Sequence, residues 1–402
     1  MNTKLLAALL VPLGGMLACS DLPPDVTAPD RALHHHSPGH PGGPGGGGGG
    51  NGDDPVSYVV RVIDAGSTFP GSRARDIGEQ GIVVGRAFEN TVPHAFHWED
   101  GFSDPQTVPG LDSTLDSEAV AVHQGTIAGW HEGRRVESAE GSVFLSTGFL
   151  YNTASQALRD LDHLEREECT DDSYSSRPVA VAAWGVVGVS GCHTEAGHSE
   201  RPVVWLAADD YQAHELPLEV GDGSATVRDV NDDGVVLGQL RRNGNSIVVE
   251  WTVSASGEIT GPQKRSSGSI AIGFAVNNER DIVGPVGARA EFVTASGATI
   301  SLERLHNRDG SISAYDLTNR IEGQVSVVGH SGDRPALWTV DVAGGQVLSA
   351  VYLDLPEGDY RAGRALAVNA DGAIAGYSTT RSRRGEDSKE RATVWIPEAP
   401  EP

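Results

Sequence analysis

Four groups of residues in this chain have types and spacings that chemistry uses. The run Asp229-Val-Asn231-Asp-Asp233-Gly234 places oxygen side chains at alternate positions before a glycine. That is the first half of a calcium loop. Leu237 and Leu240 stand where such loops carry their later ligands. Turn chemistry accounts for the run, calcium is kept as a candidate, and no other cofactor is expected. Gly329-His-Ser331-Gly-Asp333 has the serine of a nucleophile elbow. The elbow needs glycine where Asp333 stands, so esterase chemistry is not expected. Cys169 and Cys192 are the only cysteines besides Cys19. Arginine pairs occur at Arg134 and Arg135, Arg241 and Arg242, and Arg383 and Arg384.

These groups sit on a repeat. "ARDIGEQGIVVG" (74–85) recurs as "AVAVHQGTIAG", "PVAVAAWGVVG", "VRDVNDDGVVLG", "GFAVNNERDIVG", "YDLTNRIEGQVSVVG" and "ALAVNADGAIAG". The closing glycines are Gly85, Gly129, Gly188, Gly238, Gly284, Gly329 and Gly376, spaced 44, 59, 50, 46, 45 and 47 residues apart. Seven copies in near-constant register mark a repeat architecture. Within each copy an apolar segment meets an Asn-, Asp- or Gly-rich turn and a Val/Ile-rich segment that stops at glycine. This is hairpin chemistry, because these residue types tolerate left-handed backbone angles.

A third segment ends on an aromatic residue in five copies: Trp98, Trp205, Trp251, Trp338 and Trp395. Ser146 and Thr294 are expected at that place in copies two and five. In the first copy the segment reads "HAFHW" (94–98). Phe96 and Trp98 alternate with Ala95 and His97, so one face is expected to pack between units. A fourth segment follows in most copies.

Four strands per unit and seven units predict an all-β, seven-bladed β-propeller with four-stranded blades over residues 56–398. The segment "SYVVRVID" (57–64) reads as a strand that completes the last blade, which ends after its third strand. In that geometry Cys169, entering blade three, and Cys192, in its strand two-to-three loop, share a face. A disulfide stapling the longest spacing is predicted. The same face would carry strand two-to-three loops of about 6 to 15 residues, with the six arginines as ligand-face candidates.

The repeat resembles the HAF repeats of extracellular bacterial proteins, whose hairpin "A-x-D-I-N-x-x-G-x-V-V-G" precedes "HAF-x-W". Copy one carries nearly all of this pattern, and the later copies keep the hairpin but lose the His-Ala-Phe. The resemblance spans roughly residues 70–396. It implies a secreted, propeller-like array and brings no catalytic residues.

The first 19 residues, ending "MLAC", have a basic Lys4, a short apolar run and small residues before Cys19. They resemble a bacterial lipoprotein signal peptide, in which the cysteine becomes lipidated. The run Leu5 to Val11 is too short to span a bilayer. Residues 20–55 are a Gly/Pro/His-rich tether. His34, His35, His36 and His40 lie in it without a carboxylate or thiolate frame, and read as spacer.

The chain has 30 Lys and Arg against 55 Asp and Glu, a net charge of −25. Such a surface repels phosphate backbones, so nucleic-acid binding is not expected and membrane contact is expected through the lipid alone. An exported, lipid-anchored binding or scaffold module at the cell envelope follows, with a glycan or an envelope or extracellular protein as ligand. Ser20 after Cys19 leans to the outer membrane or cell surface. The alternative is a carbohydrate-active lyase or hydrolase using paired carboxylates at the channel mouth. No oligomeric state can be read.

Overall fold

In three repeats the first hairpin is held by an asparagine of its own turn. Asn231 accepts the N–H of Val235 at 2.8 Å through its side-chain oxygen, and Asn277 and Asn369 do the same for Asp281 and Ala373. The same asparagines donate to the next hairpin along: Asn231 to the carbonyl of Asn277, Asn277 to that of Thr318, and Asn369 to that of Gly78. A local turn residue thereby links neighbouring repeats.

The computed structural model describes residues 56–63, 71–89, 91–100, 104–138, 141–169, 173–194, 197–219, 223–380 and 389–398. Residues 55–402 form one compact unit. The described strands make seven antiparallel sheets of four strands each. Their first strands are Gly71–Ile77, Ser117–His123, Tyr174–Ala182, Ala225–Val230, Ala275–Val276, Ile312–Leu317 and Tyr360–Val368. Each touches the first strand of the blade before and after it, and blade seven touches blade one, so the innermost strands close a ring. The fold is a seven-bladed β-propeller. Tyr58–Val62 pairs antiparallel with Glu390–Pro397 and supplies the outermost strand of blade seven. Among the described residues no helix is long and apolar enough to cross a membrane.

The seven closing glycines each face a carbonyl of the first strand. In six blades the first strand carries a bulge, as between Ala74 and Asp76, so two of its residues oppose one on the second strand. The distortion pushes a carbonyl of the first strand against the glycine opposite. A Cβ on Gly329 would lie 1.9 Å from the Ser313 oxygen, and one on Gly85 2.1 Å from the Arg73 oxygen. Gly129, Gly188, Gly238, Gly284 and Gly376 meet the carbonyls of Glu118, Arg177, Thr226, Ile272 and Arg364 in the same way.

The five tryptophans are equivalent and buried. The indole N–H of Trp205, Trp251, Trp338 and Trp395 donates to the carbonyl of Asp162, Pro217, Glu303 and Asp354, each in the segment leaving the preceding blade. The register corrects the assignment of the other two copies. Tyr151 opposes Ile127 and Val293 opposes Ile282, as Trp98 opposes Val83, so Tyr151 and Val293 hold the tryptophan position, not Ser146 and Thr294. Blade two misled because Thr126–Ser138 and Gly141–Asn152 run long and carry an extra bulge.

Both faces of the "HAFHW" strand are buried, not one, since His94, Ala95, Phe96, His97 and Trp98 all lie between neighbours. A blade is sandwiched on both sides, so strand alternation selects which neighbour a residue meets rather than core against solvent. The expected long strand two-to-three loops are also corrected where they are described. Val235–Arg242 and Asn245–Val253 pair to their ends and turn through Asn243-Gly244 alone, both at positive φ. Continued pairing satisfies backbone groups that a loop would leave to water.

Candidate ligand site at the centre of the ring

The bulge frees one residue per first strand from the ladder: Arg75, Val120, Val179, Arg228, Tyr315 and Leu366, with Phe274 at the matching place in blade five. Two residues before it stand Arg73, Glu118, Arg177, Thr226, Ile272, Ser313 and Arg364. Most of these side chains are half-buried on the innermost strands. They make a polar inner wall in a fold whose sheets are otherwise apolar.

The wall has two unlike arcs. Across blades seven, one and two, arginines meet carboxylates. Arg73 donates twice to Glu390, at 2.9 and 2.5 Å, and lies over the Tyr377 ring at 4.5 Å. Arg75 donates to Glu118, which Arg86 also approaches at 3.8 Å. Glu118 is 2% exposed, and these two guanidiniums stand against it. In blade three Arg177 donates to Ser146 and lies over the Trp130 ring at 4.9 Å.

The other arc, in blades five to seven, is aromatic. Phe274 stacks on Tyr315 with centroids 5.8 Å apart, and Tyr315 on His330 at 5.6 Å. Burial, reinforced by the positive charge of Arg364, pushes the His330 imidazole down to about 3, so it is neutral at any physiological pH.

Three more carboxylates point between blades. Asp76 accepts the backbone N–H of Val122, Asp229 that of Val276 and Asp316 that of Val368. Burial raises all three pKa values, that of Asp229 to about 7, and the mutual repulsion of these acids adds to the rise for Asp229 and Asp316.

The residues singled out from sequence fall as follows. Cys169 and Cys192 form a disulfide with Cα atoms 5.7 Å apart. Cys192 sits on the strand Gly185–Thr194 itself, not in the loop beyond it. In the calcium candidate, the Asp229 carboxylate and the Asn231 oxygen each accept a backbone N–H, while Asp233 is exposed. Among the described residues no group of three or more His, Cys, Asp and Glu is arranged to hold a metal ion. Ser331 is buried and hydrogen-bonded to Asp309, which also accepts from Tyr352 at 2.7 Å. Arg241 is exposed, and Arg242 pairs with Glu219 at 2.8 Å. Arg134 and Arg135 lie on Thr126–Ser138, with their side chains outside the described residues. Arg383, Arg384, Cys19, the tether and its histidines also lie outside the described residues. The polar inner wall was missed. Its signal was present in "ARDI", "VRDV" and "AYDL", where polar residues interrupt an otherwise apolar first strand.

No family model matches the chain, and no curated protein matches it. Among solved structures it is similar to a puromycin-hydrolyzing peptidase of Mycobacterium tuberculosis, at 11% identity and a TM-score of 0.48, over 83% of this chain and 55% of that one. The chain thus spans about half the length of that peptidase. It is similar to AztD of Citrobacter koseri at 14% identity and a TM-score of 0.39, over 82% of this chain and 90% of that one. The β-propeller domain of the Trilobed protease from Pyrococcus furiosus matches at 12% identity and a TM-score of 0.41, over 69% of this chain and 80% of that one. These likenesses accord with the propeller fold and go no further.

Proposed function

We propose that the protein is a binding or scaffold module of the cell envelope whose ligand sits at the polar centre of the ring. The observation behind this reading is how the acids of the ring are used. Glu118 and Glu390 are held by arginines, and Asp76, Asp229 and Asp316 by backbone N–H groups of the next blade. Groups so engaged hold a shape and a field, as a preformed binding site needs. The ligand class is a glycan or an envelope or extracellular protein, and the net charge of −25 argues against nucleic acid. Export and anchoring through lipid on Cys19 belong to the same proposal, with a place at the outer membrane or cell surface. The Cys169–Cys192 bridge supports it, because such bonds persist in oxidising compartments.

The test is a binding screen of the full-length chain against polysaccharides and envelope extracts, with crosslinking in cells. A saturable ligand released unchanged is expected. Cys19→Ser should move the protein from the membrane to the soluble fraction. Loss of neither membrane association nor lipid would overturn the anchor. A cleaved ligand would favour the second reading, a carbohydrate-active enzyme. One observation speaks for that reading: Asp116 and Glu132 are adjacent, with the Glu132 N–H on the Asp116 carbonyl at 2.7 Å, and burial raises both carboxyl pKa values.

A further inference from the structure

Arg364 differs from the arginines on the other side of the ring. It stands on the first strand of blade seven, at the place Arg73 and Arg177 hold in blades one and three. Arg73 has Glu390, and Arg75 and Arg86 share Glu118. Arg364 has no ion pair among the described residues, and its Nη1 is enclosed without an acceptor. A half-buried guanidinium without a counter-ion is costly.

Its surroundings do not neutralise it. His330, beside it, is 4% exposed and uncharged. Asp316 is engaged by the N–H groups of Val368 and Leu317, and burial holds its pKa well up. What the arc offers instead is a run of stacked rings, Phe274, Tyr315 and His330, reaching from blade five to Arg364. At the level of Arg364, blade six carries the half-buried hydroxyl side chain of Ser313.

An unpaired guanidinium, an aromatic platform and a neutral hydroxyl match one kind of ligand. A guanidinium fork takes a carboxylate in a bidentate grip. Aromatic faces pack against the C–H face of a pyranose, and hydroxyls match sugar hydroxyls. We infer that the inner wall of blades five to seven binds a carboxylate-bearing sugar of an acidic glycan, with Arg364 taking the carboxylate and Phe274, the half-buried end ring of the stack, the ring face. This rests on the binding reading above and names its ligand class. The overall negative charge would oppose a polyanion at low salt, but that long-range term is largely screened at about 0.15 M ionic strength, whereas a half-buried contact is not.

The test is titration calorimetry on the full-length chain with sodium oligogalacturonate and oligomannuronate, and neutral xylo-oligosaccharide as control. Saturable binding of an acidic oligomer is expected, about tenfold or more tighter than the neutral one. Arg364→Gln should lose about tenfold or more. Arg364→Lys should recover part, and Phe274→Leu should weaken the acidic and neutral oligomers alike. The double variant Arg241→Glu/Arg242→Glu should bind as the parent does. Unchanged melting temperatures would show that the variants are folded. No binding of either acidic oligomer, or full affinity in Arg364→Gln, overturns the inference. If the double variant alone loses affinity, the seat lies on the outer hairpins. The binding reading then stands and this site does not.

Discussion

The carboxylate of Asp316 leaves blade six and accepts the backbone N–H of Val368 in blade seven at 2.8 Å. Asp76 and Asp229 make the same bond to Val122 and Val276, in blades two and five. Each receiving blade carries alanine at the acidic position: Ala367, Ala121 and Ala275. A second aspartate there would bring a carboxylate towards the first, which like-charge repulsion penalises. No two acidic blades adjoin, and a closed ring of seven admits at most three blades under that condition. Blades one, four and six fill it.

Asp229 should make stability depend on pH in a defined direction. Its pKa rises from 3.8 to about 7 on folding, chiefly through burial. The folded state therefore holds the proton more tightly than the unfolded chain. Sign follows from linkage: the carboxyl costs nothing below about pH 4, and the cost grows until about pH 7, reaching about 4 kcal/mol. Asp229→Asn keeps an acceptor for Val276 without the charge. Thermal melts should show the variant gaining on the parent between pH 4 and 8. An equal difference at both pH values would refute the ionisation argument.

Gly329→Ala should fail to fold or lose about 3 kcal/mol or more, because the new Cβ would lie 1.9 Å from the Ser313 oxygen. Gly310→Ala meets nothing within 4 Å and is the control. Denaturant melts of the two would separate the steric cause from a general intolerance of substitution.

Trp338→Phe should cost about 2 kcal/mol, combining the lost bond to the Glu303 carbonyl with a partial cavity. Since that bond reaches into the segment leaving blade five, hydrogen exchange should rise there as well as around residue 338. Exchange changes confined to blade six would contradict an inter-blade role.

Replacing Cys169 and Cys192 by serine should destabilise the fold by about 3 kcal/mol, from closure of a loop with a sequence separation of 23. The parent under reducing agent should melt like the double variant. Two free thiols in exported protein, found by alkylation and mass analysis, would remove the bridge.

The repeat, its blade count, the closing strand and the cysteine pair were all legible in the amino-acid order. Each depends on short-range patterns such as hairpin residues, apolar alternation and spacing, which a linear chain displays directly. The closing glycines were visible as a rhythm, but their cause, a carbonyl pressed into the place of a Cβ, is a contact between strands. The tryptophan place in blades two and five needed the register, because bulges and long strands change the count without changing the pattern. The polar residues of the inner wall were visible as interruptions of apolar strands, but their pairing was decided by tertiary structure alone. Arg73 and Glu390 are 317 residues apart, and only ring closure makes them partners. The same closure leaves Arg364 without one. Local sequence determines which strands form and how they turn, whereas which charges meet depends on blades brought together around a common axis.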